Sequence, residues 1–434
     1  MSDALKEGAL GSKDYEIKKL ELINSSGQVL DLRKVFVELQ IFQDLYSSVM
    51  NGNIVINDGN DLFNSFSLCG NEYLRISIDK PSLGLPLEKI FRIYKTTDRS
   101  PTKDSSHAQV YILHFCSDEM ILSNSSRISK AYRSQTAGQI VMDVLMNHLK
   151  VDKSRINSFE DTSGTFDFVV PWYRPFEVIQ WAVSRSYDLN PKFCYFFYES
   201  SFGYSFQSLQ TLYKQKPYKK LKFDIKNVDN PDIATNKDSI DKFKILNDFD
   251  ILTSVSNGSY ASRLLAVDIF SQTFKDYTYS LAGSEKNLLN KYKQLNSAVN
   301  ATGNTAFDSY DSYATAYIEI NDTKSEKENS LDKWMIPRAL HMTAINSFKF
   351  SATLPGDIAL KVGDIVEYEF PKFVAPDESG KEGDEYRTAK YLVTAVNHKF
   401  REDIFESIVE FSSDSYAASL PAAADLTKIL AKKN

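Results

Sequence analysis

The sequence predicts a β-rich α+β protein of several domains, and three observations carry that prediction. At 434 residues the chain is too long for one ordinary hydrophobic core. Aromatic residues make up 13% of it, with 28 Phe and 24 Tyr, and such side chains fill pleated, half-buried surfaces. Apolar residues alternate with period two toward both ends, while the middle carries helical spacings. With 42% hydrophobic and 25% charged residues, the composition is that of a folded, soluble chain.

Residues 1–14 read as a flexible or docking arm. From Lys34 the pattern is β, with Val35, Val37, Leu39 and Ile41 on one face and Phe36, Glu38, Gln40 and Phe42 on the other. Asp44 to Gly52 connects this strand to a second at Asn53 to Asn57. Leu62, Phe63 and Phe66 are spaced for a helical turn. Strands follow at Tyr73–Ile78, Ile90–Tyr94 and Ala108–Cys116, separated by the polar, turn-rich stretches Lys80–Leu85 and Arg99–Ser106. Five or so short strands with one small helix make a compact barrel or sandwich over 15–120.

The run Ser123-Asn124-Ser125-Ser126 shifts the composition and marks a boundary, opening an α/β unit over 121–215. Thr136 is placed to cap a helix in which Val141, Leu145 and Leu149 fall four apart beside Ile140 and Val144. The centre of the unit is the stretch from Phe166 to Leu212. Pro175 suits a first helical position, where its missing N–H costs nothing. Behind it Phe176, Ile179, Val183 and Tyr187 share a face, and Asn190-Pro191 ends the helix. Phe193 to Tyr198 is apolar on both faces, which predicts a strand buried on both sides. The turn Ser200 to Gly203 returns the chain into a second strand from Tyr204 to Ser208.

Lys214, Lys216, Lys219, Lys220, Lys222 and Lys226 then crowd together. They read as a solvated linker or lysine-protected strand edge rather than a phosphate-contacting patch. Residues 247–280 are apolar-patterned. Residues 281–334 are poor in strand signal, with a possible helix at Leu288, Leu289, Tyr292 and Leu295, and read as an insertion. β character resumes at Ile345: Phe348 and Phe350 alternate, Pro355-Gly356-Asp357 turns the chain, and Val362-Gly363-Asp364 turns it again into Ile365–Phe370. Strands follow at Tyr391–Phe400 and Phe405–Phe411, and an Ala-rich tail runs from Ser412. With 216–280 and 335–411 taken together, this set matches the first in strand count and size. It predicts a repeat of shape alone, with no residue identity between the two sets.

A net charge of −6 excludes a broadly basic nucleic-acid binder. Cys69, Cys116 and Cys194 are far apart, odd in number and flanked by apolar residues, which predicts buried free thiols and neither a disulfide scaffold nor a CxxC zinc site. The N-terminus lacks the apolar stretch of a signal peptide, and no window of about 18 apolar residues exists to span a membrane. No GxGxxG, Walker A, HExxH or GxSxG occurs. None of His107, His114, His148, His341 and His398 stands at a useful spacing from a Cys, a Ser or another His, so packing is their expected role. Asp364, Glu367 and Glu369 carry the one acid/base pairing worth weighing, that of a glycosidase. Glu367 and Glu369 alternate with Val366, Tyr368 and Phe370, however, which places them on the solvent face of a half-buried strand. The residues therefore give no catalytic, cofactor-binding or metal-binding set.

Four stretches, in this order and spacing, resemble the baseplate hub protein of contractile-tailed (T4-like) phages, a relative of the N-terminal region of type VI secretion spike proteins. They are VFVELQIFQDLYSSVMNGNIVIND, YILHFCSDEMILSNSSRISKAY, VVPWYRPFEVIQWAVSRSY with FCYFFYESSFGYSFQSLQTL, and LPGDIALKVGDIVEYEFP with YLVTAVNHKF. The resemblance covers about 30 to 411. It implies two tail-tube-like β-barrel domains, at 15–120 and at 216–280 with 335–411, plus the smaller α/β unit and the insertion. Further, it implies a structural, non-enzymatic hub subunit without cofactors. Three copies would form a pseudo-sixfold ring joining a threefold central spike to the sixfold tail tube. The implied partners are the spike, the tube or a tube-initiator protein, the tape measure protein and baseplate wedge proteins. DNA would pass through the channel without specific binding, and no membrane insertion is implied. The implied location is the virion tail baseplate, after assembly in the host cytoplasm. The competing expectations are a carbohydrate-binding or glycosidase-like β-rich tail protein and, more weakly, a nucleic-acid binder using Lys214–Lys226.

Overall fold

The computed structural model describes residues 15–81, 86–102, 108–188, 193–223, 239–240, 242–258, 261–268, 272–280, 288–293, 314–319, 331–371, 383–401 and 404–419. The protein is β-rich, with several sheets, none of them closed among the described residues. One 14-stranded sheet takes strands from both halves of the chain.

In the first half, strands pair antiparallel in the order Phe36–Asp44, Asn51–Asp58, Gln109–Ser117, Leu87–Pro101, Tyr73–Asp79, Glu16–Ile23 and Val29–Asp31. Their inward residues, among them Leu22, Ile41, Ile54, Ile76, Phe91 and Phe115, bury into one core. The two strands before Lys34 escape a reading by alternation because the register of Glu16–Ile23 shifts between Ile17 and Lys19. A second shift, between Phe36 and Glu38, leaves Val37 exposed while Leu39 and Ile41 stay buried. Bulges between Ile93 and Lys95 and between Thr97 and Ser100 carry Leu87–Pro101 on into the polar stretch expected to be a turn.

In the second half, Ile365–Glu369 lies between Lys220–Phe223, to which it is parallel, and Ala389–Arg401. Ile404–Ser413, Phe348–Pro355 and Lys242–Asn247 continue the pairing. The inner face is an aromatic cluster: Phe350 stacks on Phe411 at 5.0 Å and Tyr368 meets Phe370 edge-on at 4.7 Å between centroids.

The strand Ala389–Arg401 fuses the halves. Leu392 to Ala389 pair with Ile365 to Tyr368, and from Ala395 onward the chain pairs with the first half instead, Ala395 with Asp44 through Arg401 with Glu38. Its other side pairs with Ile404–Ser413 from Leu392 to Arg401. Phe400, Phe405 and Ile358 accordingly bury into the first core.

Between these halves sits the helical unit. Thr136 closes a capping box with Gln139 and starts the helix Ala137–Asp143. Pro175 opens the helix Pro175–Arg185, which buries Phe176, Val178, Ile179, Ala182 and Val183. Asn190-Pro191 falls outside the described residues. The serine run at 123–126 ends the helix Asp118–Ser125, and the buried Ser123 Oγ accepts the Phe176 N–H at 3.1 Å. The hairpin Tyr195–Ser200 and Gly203–Ser208 pairs as expected, and every residue of its first strand is buried. Two cores account for that. Tyr195 and Phe197 pack into the helical core, whereas Phe196 and Tyr198 pack into the second-half core.

Ala261–Asp268 and Thr273–Ser280 lie outside the large sheet. They form a three-stranded sheet with Ala314–Glu319. Leu264 and Ala266 of that sheet pack on Leu331, Ile336 and Leu340 of the helix Leu331–Ile345. The sequence gives little sign of this helix because Pro337 stands inside it and reads as a breaker. At 288–293 the expected helix does not form. The N–H groups of Leu289 and Asn290 donate to Asp414 Oδ1 at 3.1 Å and Ser415 Oγ at 2.7 Å, and Tyr292–Lys293 pairs with Ser415–Tyr416.

Candidate functional site

The residues weighed for chemistry are spread apart. Glu369 is clamped by Lys222 at 2.9 Å and Lys220 at 3.0 Å, and those hydrogen bonds, Lys222's first, hold its carboxyl below the usual range. Two lysines of the basic run are thus spent on a neighbouring strand. A third, Lys219, pairs with the buried Asp357 at 2.8 Å; Lys226 lies outside the described residues. Asp364 is buried, which pushes its carboxyl up against the pull of Lys361 at 2.5 Å. Glu367 lines a cleft of about 370 Å³ with Lys220, Lys291 and Lys390. Neither Asp364 nor Glu369 reaches that cleft, so the two-carboxylate geometry of a glycosidase is not assembled there.

The histidines are held singly. His114 Nε2 meets Thr97 Oγ1 at 2.9 Å, and burial lowers its pKa as it does that of His148. His341 stacks on Phe193 at 5.0 Å between centroids, and burial takes it down to about 4. His398, also near 4 through burial, touches Ser407 Oγ through Nδ1 at 3.0 Å. Ser407 Oγ in turn accepts the Asp357 N–H at 3.1 Å. The residue types suggest nucleophilic chemistry, but His398 and Ser407 are fully buried and no substrate can reach them. His107 is outside the described residues. Among the described residues no group of three His, Cys, Asp or Glu is placed to hold a metal. No described helix is long and apolar enough to cross a membrane. Cys116 and Cys194 are buried, each pushed up to about 11 by burial. Cys69 corrects the expectation of three buried thiols: it is exposed, on a loop whose N–H at Cys69 donates to Glu72 Oε1 at 2.8 Å.

What the structure does bring together is two buried polar joints between units. At the first, Glu199 on the shared hairpin accepts the Met50 N–H at 3.0 Å and the Ser117 hydroxyl at 2.5 Å, both from the first half. Lys89 lies 3.4 Å and Arg155 3.3 Å from the same carboxylate. Arg155 also pairs with Glu119, which accepts the Tyr204 hydroxyl at 3.1 Å. Burial opposes the Arg155 charge, yet Glu119 and Glu199 together raise its pKa above the ordinary value. At the second joint, Asp357 accepts Lys219 and the Tyr218 hydroxyl, the latter at 3.2 Å. Burial pushes the Asp357 carboxyl up, but Lys219 and Lys80 bring it below the usual range. Lys80 crosses from the first half to donate to the Gly356 carbonyl. Sequence reasoning passed over Glu199, Lys89 and Lys80. The one available signal was a charge inside an otherwise apolar strand, at Glu199.

No family model matches the sequence, and no curated protein matches it. Among solved structures, the tail protein from Neisseria meningitidis MC58 aligns with a TM-score of 0.53 at 11% identity, over 94% of this chain and 99% of that one. The chain shares that protein's fold. The 43 kDa tail protein of prophage MuSo2 from Shewanella oneidensis shares the tail-protein fold at a TM-score of 0.50 and 9% identity, over 92% and 98% of the two chains. The E. coli c3393 protein, described as a component of the type VI secretion system, aligns over 94% of this chain and 79% of its own at a TM-score of 0.45 and 9% identity. The fold assignment rests on the first two.

Proposed function

We propose that the chain is a structural, non-enzymatic hub subunit of a contractile phage tail baseplate. Three copies form a pseudo-sixfold ring that joins a threefold spike to a sixfold tube and surrounds the DNA channel. The observation that carries this reading is the fusion of two sheet-wrapped halves through Ala389–Arg401. One chain that presents two similar units in a fixed relation lets three copies offer six near-equivalent surfaces. The tail-protein fold supports it over nearly the whole chain.

The two units are proposed as tube-like barrels, 15–120 and 216–280 with 335–411, the second carrying Ala261–Asp268 and Thr273–Ser280 outside its wall in a sheet with Ala314–Glu319, beside the α/β unit 121–215 and the insertion 281–334. Support for the second barrel comes from the pairing at its ends. Ser239–Ile240 pairs with Lys222–Phe223, and Lys242–Asn247 just after it pairs with Phe348–Pro355, so both ends of that run of strands meet on one stretch of chain. Proposed partners are the spike, the tube or its initiator, the tape measure protein and the wedge proteins, in the virion.

Light scattering and electron microscopy of the purified protein test the proposal. The expected result is a particle near three times 49.3 kDa with a ring-shaped projection, alone or with the spike added. A monomer at micromolar concentration under both conditions would overturn it.

A further inference from the structure

The loop between the strand Phe166–Val169 and the helix Pro175–Arg185 exposes three large apolar side chains together: Val169 at 72%, Trp172 at 67% and Tyr173 at 36%. Trp172 holds φ at 60°, a left-handed backbone that a bulky residue adopts only under strain. Its surroundings fix it there. The Trp172 N–H donates to the Val170 carbonyl at 3.1 Å, the Val170 N–H to Lys130 at 2.9 Å, and Ile128 bridges Tyr173. Beneath the loop Phe168 stacks on Trp181 at 3.6 Å between centroids. The fold thus spends strain to keep an aromatic knob in water, on a rigid base.

The charge around the knob leans positive. Residues 126–135 and 166–177 carry Arg127, Lys130, Arg133 and Arg174 against Asp167 and Glu177. Lys130 is paired with Asp143 at 2.7 Å. Glu177 is occupied by the Arg174 N–H at 2.7 Å, and Asp167 by the Ser134 N–H at 2.5 Å. Arg127, Arg133 and Arg174 make no ion pair among the described residues. Val169 pairs with Ala131, so the exposed Val169 and Arg133 share the outer face of that small sheet.

From this geometry we infer that Val169, Trp172 and Tyr173 form a docking knob for a partner protein whose surface offers an apolar pocket rimmed by carboxylates. Trp, Tyr and Arg are the residues in which interfaces concentrate their binding energy, and the excess of Arg127, Lys130, Arg133 and Arg174 over Asp143, Asp167 and Glu177 favours acidic groups opposite. A second copy of the chain is the weaker occupant, because in two of its clefts the cations Lys220, Lys291 and Lys390, and Lys19, Arg75, Lys89 and Arg155, outnumber the carboxylates Glu367 and Glu88. A nucleic acid is disfavoured because the carboxylates Asp143, Asp167 and Glu177 stand among the cations and would repel a phosphate backbone.

The test titrates the full chain with a fluorescently labelled amphipathic peptide of Glu, Leu and Phe, followed by peptide anisotropy in the parent and the variants and by tryptophan fluorescence in the parent. Controls are the same peptide with Lys for Glu, an oligothymidylate and a chito-oligosaccharide. The inference expects a blue shift with the acidic peptide, binding at least about tenfold weaker for the Lys peptide, and a similar loss in Arg127→Glu/Arg133→Glu. Trp172→Gly relieves the left-handed backbone, so it should fold at least as well as the parent while losing about tenfold or more in affinity. Equal binding of both peptides, tighter binding of the oligothymidylate or the sugar, an unchanged affinity in Trp172→Gly, or self-association that Trp172→Gly abolishes would each overturn it. The peptide, oligothymidylate and sugar outcomes do not depend on whether the chain forms a trimer, and a trimer that persists in Trp172→Gly leaves the inference standing.

Discussion

The carboxylate of Glu199 sits where the hairpin meets the first half of the large sheet, with Lys89 and Arg155 on it and almost no water around it. A buried pair is weak evidence of net stabilisation, but removing the carboxylate leaves Lys89, 11% exposed, charged with little water, and the Met50 N–H and Ser117 hydroxyl without their acceptor. Glu199→Ala is therefore expected to cost about 3–5 kcal/mol, read as a fall in the urea midpoint with an unchanged slope. A cost below about 1 kcal/mol would mean that water replaces the carboxylate. Glycines give a second contrast. A Cβ at Gly52 would collide with the Gln40 carbonyl and the Phe115 ring, whereas one at Gly59 would meet nothing. Gly52→Ala should lose about 1–3 kcal/mol through overpacking, while Gly59→Ala should be neutral or slightly stabilising through the unfolded chain. Acid sensitivity belongs to this scale too. His341 and His398 stay neutral in the fold down to about pH 4, whereas in the unfolded chain they take up protons from about pH 6.5. Above that pH they contribute no pH dependence. As pH falls from about 6.5 to 4, each costs about 1.4 kcal/mol per unit. Urea midpoints at intervals from pH 7 to 4.5 should fall accordingly, and His341→Phe should fall less steeply.

For the elements, the hairpin decides most. Tyr195–Ser200 is apolar on both faces because two cores claim it, so its alternate residues report on different units. Phe196→Ala and Phe197→Ala should each cost about 3–5 kcal/mol, the first loosening the second-half core and the second the helical core. Hydrogen exchange of each mutant would show protection lost on opposite sides; loss on the same side would refute the division. Such a strand was legible from its residues, as were Pro175 at the start of its helix and the Thr136 cap, since local chemistry sets all three. The strands before Lys34 and the helix around Pro337 were not legible. A bulge breaks the alternation in the one, and a breaker is tolerated in the other because packing of Leu331, Ile336 and Leu340 on the small sheet offsets it.

Over the whole molecule, the strand Ala389–Arg401 makes two halves depend on each other. Residues 15–117 expressed alone would lack Phe400, Phe405 and Ile358 from their core and leave the edge of Phe36–Asp44 unpaired. That fragment should aggregate or remain unfolded, and the full chain should lose the structure of both halves in one transition seen by two probes. Separate transitions would show that the fused edge is weaker than the cores. The candidate residues behave consistently with this dependence: the polar groups that matter are buried at joints, which no spacing in the sequence reveals.

By itself the sequence determined which stretches are strand or helix wherever side-chain period and caps act locally, and it settled the absence of any recognised catalytic motif. The tertiary structure alone decided that one strand divides its edge between two partners, that Glu199 meets Met50 and Lys89, and that Trp172 is held outward. The first two depend on residues far apart in the chain, 149 positions for Met50 and Glu199 and 363 for Glu38 and Arg401, and a pattern read along the chain carries no information about which distant edge a strand will find.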